Sequence, residues 1–255
     1  MTSTPPTSNR DNPKFASTQS RLHSANAFQQ GANTYADIRP GYPDAVLDLL
    51  EKRPKGPILD VGAGTGKLTE LLPGEKLALD PSQDMLSQLR SSISVPAWQA
   101  TAEATALPEN SVAAVASAQT WHWVDPALAS AEMARITKPG GPLMLVWNTL
   151  DVREPWVHRL TRIMHAGDVQ KPGFYPEVAA PWKLTKELRL DWEQELQAKD
   201  LFRLMATRAY WLRNGEKVRQ KMTSNLTWYL YEHLGFEPEQ LIKLPYRTDA
   251  FRYER

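Results

Sequence analysis

The strongest constraint on this chain is an alternation. Short apolar runs at residues 58–61, 77–79, 112–117 and 143–147 are separated by stretches with helical spacing. Such runs suit strands buried on both faces, and strands that alternate with helices pair in parallel, because each helix returns the chain to the same end of the sheet. The helical stretches carry their own start signals. Ser82 precedes Met85, Leu86 and Leu89, and Asp125-Pro126 places a capping carboxylate and then a proline at the first helical position before residues 128–136. A further short strand is expected at 97–99, and closing strands at 190–196 and 242–253. The pattern predicts an α/β fold, a doubly wound, mostly parallel seven-stranded sheet with ligands at the carboxyl ends of its strands.

After Trp147 the rhythm becomes helical. Trp156, Val157, Leu160, Ile163 and Met164 keep helical spacing, as do Leu201, Phe202, Leu204 and Met205, and later Val218, Met222, Leu226, Tyr229 and Leu230. Residues 150–235 are therefore expected to contribute a helical cap over the substrate site, within one domain spanning 21–255. Residues 1–20 are mostly Ser, Thr, Pro and Asn, too poor in apolar groups to repay the entropy of ordering, and are expected to form a disordered tail.

Composition removes several classes of function. With 30 Lys+Arg against 29 Asp+Glu there is no bulk charge for nucleic acid. The absence of cysteine excludes disulfides, thiolate metal sites and a cysteine nucleophile, and suits a reducing compartment. No apolar run approaches the roughly 20 residues of a membrane helix. A cytoplasmic protein with no membrane span is expected; the oligomeric state is left open.

The turn after the first strand reads Asp60-Val61-Gly62-Ala63-Gly64-Thr65-Gly66. A dinucleotide fingerprint needs its third glycine where Lys67 stands. A P-loop needs a leading glycine where Val61 stands, and a Ser or Thr where Leu68 stands. The glycines still allow positive φ and a close approach to bare backbone. Asp60 would repel phosphate but attract an ammonium group, while Asp80, at the end of the second strand, suits the two hydroxyls of a ribose. S-adenosylmethionine has an amino-acid head, a ribose and no phosphate. A glycine turn that only packs helix on strand would leave both carboxylates unexplained.

The runs LDVGAGTGKLTELL, LALDPSQDML, ATAEATALPENSVAAVASAQTWHWVD and EMARITKPGGPLMLVWN resemble, in order and spacing, the motifs of class I S-adenosylmethionine-dependent methyltransferases. YADIRPGYP and LPYRTDAFRYER further resemble a small-molecule branch that includes trans-aconitate methyltransferase-like enzymes. The resemblance implies a Rossmann-like methyltransferase fold with Gly62, Ala63 and Gly64 under the methionine part of the cofactor. It also implies Asp80 on the ribose, Met85 against the adenine, Ala102 and Glu103 at the adenine edge, and Tyr35 and Arg39 over the cofactor.

The same family places the residues facing the methyl group after the fourth strand, here Gln119, Thr120, Trp121, His122 and Trp123. An Asn/Asp-Pro-Pro-Tyr-like run, which would supply acceptors for an amino group, is missing, so nitrogen methylation is disfavoured. Gln119 and His122 are the catalytic candidates, His122 as a general base or to orient an acceptor oxygen, with Gln119 also near the sulfonium. Trp121 and Trp123 are expected to wall the pocket. Arg208 could bind a substrate carboxylate through its fork of donors, as could Arg213. His158 and His165 could share a helical face, but too few ligands accompany them for zinc, so no metal is expected. The branch resemblance implies methylation of a carboxylate or hydroxyl oxygen on a small molecule. Carbon methylation of a small or lipid-like substrate is the alternative. A nicotinamide-dependent oxidoreductase and a non-catalytic S-adenosylmethionine-binding protein are the alternatives from other classes.

Overall fold

A computed structural model describes residues 38–50, 54–166 and 169–255. Tyr35 and the expected tail at 1–20 lie outside them. The strands are β1 (Ile58–Val61), β2 (Lys76–Asp80), β3 (Ala97–Gln99), β4 (Ala114–Ala118), β5 (Leu143–Leu150), β6 (Lys183–Gln197) and β7 (Leu241–Glu254). They form one seven-stranded sheet in the order β3-β2-β1-β4-β5-β7-β6. β1 pairs in parallel with β2 on one side and β4 on the other, and β2–β3 and β4–β5 are also parallel. The chain thus reverses its direction of winding at β1, and in sheets of this kind ligands bind beyond the carboxyl ends of the strands at such a switch point, here β1 and β4.

The helices are α1 (Lys67–Leu71), α2 (Gln83–Ser92), α3 (Pro126–Ile136), α4 (Pro155–Ile163), α5 (Asp200–Ala206), α6 (Ala209–Arg213) and α7 (Glu216–Thr227). Two begin where the capping residues stand. The Ser82 hydroxyl accepts from the Met85 N–H, and an Asp125 carboxylate oxygen accepts from the Ala127 and Leu128 N–H groups. Each cap satisfies donors that the first helical turn leaves without partners, a contribution of about 1 kcal/mol.

The described chain divides into two compact units. One contains the described residues up to Asn148 together with Pro176–Leu190 and Thr248–Arg255; the other contains Thr149–Tyr175 and Asp191–Arg247. In the first, every residue of β1 and β4 is buried, as the uninterrupted apolar runs require. Ile58, Ala114, Ala116, Met144 and Val146 pack there with Val46, Leu49, Leu68 and Leu72. Full burial of each aliphatic side chain of leucine size is worth roughly 1.5–3 kcal/mol, which is what anchors the strand ends that carry polar groups. In the second unit Val157, Leu160, Leu201, Leu204, Met222, Leu226 and Tyr229 are buried, the apolar stripes of α4, α5 and α7 and of the π-helical turn Trp228–His233. The closing strands are longer than their apolar patterns: β6 begins at Lys183, and its first half is largely exposed, so those residues carry no burial signal. Among the described residues no helix is long and apolar enough to cross a membrane.

Candidate active site

The first unit brings the glycine turn, Asp60, Asp80 and Gln119 to the same ends of β1, β2 and β4. Gly62, Gly64 and Gly66 have φ of +69°, +55° and +93°, all in the left-handed region where a side chain is strained. The three do different jobs. A Cβ on Gly62 would lie 2.3 Å from the Thr120 side chain, and one on Gly66 would lie 2.6 Å from Ile93, so these two glycines make room for protein. A Cβ on Gly64 would meet nothing within 4 Å. Only Gly64 therefore presents bare backbone to open space. The turn itself is pinned by the Gly62 and Ala63 N–H groups, both donating to the Leu79 carbonyl.

Asp80 ends β2 with both oxygens engaged: one accepts from the Gly64 N–H at 2.9 Å and the other from the Ser82 N–H at 2.8 Å. A carboxylate has about four acceptor positions, so two remain for further donors. Asp80 is buried, which raises its pKa, while the Ser82 and Gly64 N–H bonds oppose that rise. Asp60 is 1% exposed. Its Oδ2 accepts from the Thr69 hydroxyl at 2.6 Å, and its Oδ1 is buried without a hydrogen-bond partner. Burial pushes its carboxyl up to about 7, against the Thr69 hydrogen bond and with a smaller push from the Asp80 charge.

Gln119 follows β4 with φ +55°, a conformation that costs a non-glycine residue roughly 1–2 kcal/mol. Its Nε2 donates to the Asn148 carbonyl, and its Oε1 is a second buried acceptor without a partner. Asn148 is a hub. Its Nδ2 donates to the Gly41 carbonyl at 2.8 Å, and its Oδ1 accepts from the Thr248 hydroxyl at 2.6 Å, so one amide ties the segment containing Arg39 and the last strand to the end of β5. Arg39 is half-buried in that segment.

The other candidates are distributed as follows. Met85 and Ala102 are buried, and Glu103 is half-buried with its Oε1 accepting from the Asp125 N–H at 2.8 Å. Trp121 is 3% exposed, and its indole N–H donates to the Glu177 carbonyl, whereas Trp123 is half-buried and lies 4.8 Å from the His122 ring. The His122 Nδ1 accepts from the Trp147 indole N–H at 3.3 Å. An indole nitrogen only donates, so the neutral imidazole carries its proton on Nε2 and presents a donor there. Arg208 belongs to the second unit and is buried at 5% exposure. Among the described residues no cluster of His, Asp and Glu is arranged to hold a metal.

Sequence reasoning passed over Thr69, Trp147, Asn148 and the contact of Thr120 with Gly62. Of these only Asn148 left a trace, as a polar residue just after the apolar run 143–147. The rest are meetings of distant segments with no periodic signal.

Two features test the fit of a nucleoside with a cationic amino-acid head. Asp60 Oδ1 and Gln119 Oε1 are buried acceptors without donors on neighbouring strands, and such atoms cost about 1–3 kcal/mol each until a donor or cation arrives. The open space at Gly64 lies beside the Asp80 carboxylate. The residues present fit S-adenosylmethionine; a pyrophosphate would meet two carboxylates.

Comparison with known proteins agrees. Residues 59–145 match the family model described as a methyltransferase domain. An uncharacterized methyltransferase of Mycobacterium tuberculosis is 38% identical over 241 residues, covering 92% of this chain and 98% of that protein. A methyltransferase-like protein of Schizosaccharomyces pombe is 29% identical over 248 residues, covering 89% and 95%. Among solved structures, a candidate type II methyltransferase from Anaeromyxobacter dehalogenans superposes with a TM-score of 0.59 at 22% identity, covering 85% of this chain and 97% of that one, a likeness of fold.

Proposed function

As the chain belongs to the class I S-adenosylmethionine-dependent methyltransferases, we propose that it methylates an oxygen, of a carboxylate or hydroxyl, on a small-molecule acceptor in the cytoplasm. The observation that carries the cofactor assignment is the pair of buried acceptors without donors, Asp60 Oδ1 and Gln119 Oε1. In this reading Asp60 balances the cofactor's ammonium group, and Gln119 turns its amide oxygen toward the sulfonium. Asp80 accepts from the ribose hydroxyls with its two remaining acceptor positions. Gly64 exposes its backbone to the methionine chain, next to Gly62 and Ala63 in the same turn, Met85, Ala102 and Glu103 line the adenine end, and Arg39 covers it. The small-molecule branch that resembles trans-aconitate methyltransferase-like enzymes belongs to the same proposal.

S-adenosylmethionine supplies the activated methyl group, so the protein has to orient the acceptor and exclude water. His122 suits that task through Nε2–H: a donor there anchors one oxygen of a carboxylate and leaves the other oxygen's lone pair to attack. No base is needed, because a carboxylate is already ionised at neutral pH. Carbon methylation, like that of an unionised hydroxyl, would need a base, and with Nδ1 occupied by Trp147 the Nε2 position holds a proton rather than a lone pair, so of the two oxygen acceptors the carboxylate is favoured. Trp121 and Trp123 wall the acceptor pocket.

The test is incubation with methyl-labelled cofactor and a panel of organic acids, phenols and cell extract, followed by mass detection of labelled products. Labelled methyl esters or ethers are expected. Label appearing only in carbon–methyl products would reject the oxygen assignment.

A further inference from the structure

A groove of about 350 Å³ lies in the second unit, lined by Arg159, Arg162, Ile163, His165 and Asn225. Arg159 and Arg162 are three residues apart on α4 and share a face, and His165 follows just beyond the helix end, while Asn225 comes from α7. Both arginines, His165 and Asn225 are exposed.

Aromatic rings, not a carboxylate, hold Arg159. The Arg159 guanidinium lies 5.1 Å from the centroid of the Trp228 ring and 5.2 Å from that of Tyr229. Ring faces attract a cation without using up its N–H groups, so the fork is positioned while its donors stay available. His165 stacks on Tyr210 with ring centroids 4.0 Å apart, and Arg213 sits 5.6 Å from the same Tyr210 ring. Among the described residues neither Arg159 nor Arg162 forms an ion pair with a carboxylate. Partial burial of the ring and, after it, the Arg213 charge hold the His165 pKa below its usual value.

The carbonyl end of α4 would favour a cation at Arg162, but Arg159 sits mid-helix, and the dipole term falls off within the last turn. The cationic set therefore exceeds what helix electrostatics explains. Two guanidinium forks, an imidazole and an amide offer more donors than the two oxygens of a carboxylate accept; the oxygens of a phosphate match them better.

We propose that this groove binds a small organic phosphate or diphosphate, gripped by the forks of Arg159 and Arg162, with His165 and Asn225 donating from either side. A bare phosphate would leave most of the volume empty, so the anion carries an organic body against Ile163. None of these residues takes part in the proposed cofactor site.

The full-length protein is titrated with pyrophosphate by calorimetry while the His165 imidazole is followed by nitrogen-correlated NMR. Saturable binding is expected, with His165 taking up a proton at a higher pH in the complex. Arg159→Gln and Arg162→Gln should each weaken binding at least ~10-fold, about 1.4 kcal/mol. Lys183→Gln, which removes an equal charge from an exposed position in the other unit, should change it little. The proposal is overturned by any of three results: no saturation at pyrophosphate concentrations on the order of 10 mM, losses no greater than that of Lys183→Gln, or binding to phosphatidylglycerol vesicles without binding to pyrophosphate. The His165 signal in the unmodified protein decides the matter even if a variant folds poorly.

Discussion

Replacing Asp60 by asparagine should stabilise the protein in a way that depends on pH. The Asp60 carboxyl is raised from 3.8 to about 7, chiefly by burial. The folded state therefore keeps a proton that the unfolded chain has released, and between these two values stability falls as pH rises. Each pH unit in that window costs about 1.4 kcal/mol. The accumulated penalty is about 2 kcal/mol at pH 5 and about 4 kcal/mol at pH 8, where it has levelled off. Asparagine keeps an acceptor for the Thr69 hydroxyl and removes the titration. Its amide N–H₂ would stand where Oδ1 now lacks a partner, which costs a roughly constant amount at every pH. The difference between conditions is the sharper quantity: relative to the wild type, the variant should gain about 2–3 kcal/mol more at pH 8 than at pH 5. Urea unfolding at both pH values, followed by tryptophan fluorescence, measures this. Equal differences at both pH values, or a larger gain at pH 5, would refute the idea that Asp60 holds a proton in the folded protein. The same variant should bind S-adenosylhomocysteine more weakly at pH 8, because it lacks the carboxylate proposed to balance the ammonium group.

Other sites give independent tests. Asp80→Ala removes the acceptor of two backbone N–H groups as well as the proposed ribose contact, and calorimetry should show at least ~10-fold weaker S-adenosylmethionine binding; an unchanged affinity rejects the ribose assignment. Gly62→Ala meets Thr120 at 2.3 Å and sits at φ +69°, so thermal unfolding should show a loss of about 2–4 kcal/mol, whereas Gly64→Ala should lose only about 1 kcal/mol while weakening cofactor binding. Trp147→Phe removes the indole donor from His122 Nδ1 and should release the imidazole tautomer, read as a change in its nitrogen chemical shifts together with slower methyl transfer. Unchanged shifts would mean that the indole does not set the tautomer.

The parts legible in the sequence are those with a local cause. Ser82 and Asp125 cap their helices because a side-chain oxygen needs only the next two or three residues. β1 and β4 declare themselves through apolar runs that every position of a doubly covered strand demands. Asp60 and Asp80 are readable because a carboxylate at the end of such a strand has few structural reasons to be there. What sequence reading misses is why each glycine is required. Gly62 looks like a seat for a ligand, yet the atoms that approach it belong to Thr120, just past β4, a neighbour only after folding. The same holds for His122: its type suggests a base, but the donor that decides which nitrogen carries the proton is Trp147 on β5. Local chemistry thus names the groups that can act, and the parallel pairing of β1, β4 and β5 decides what each of them can do.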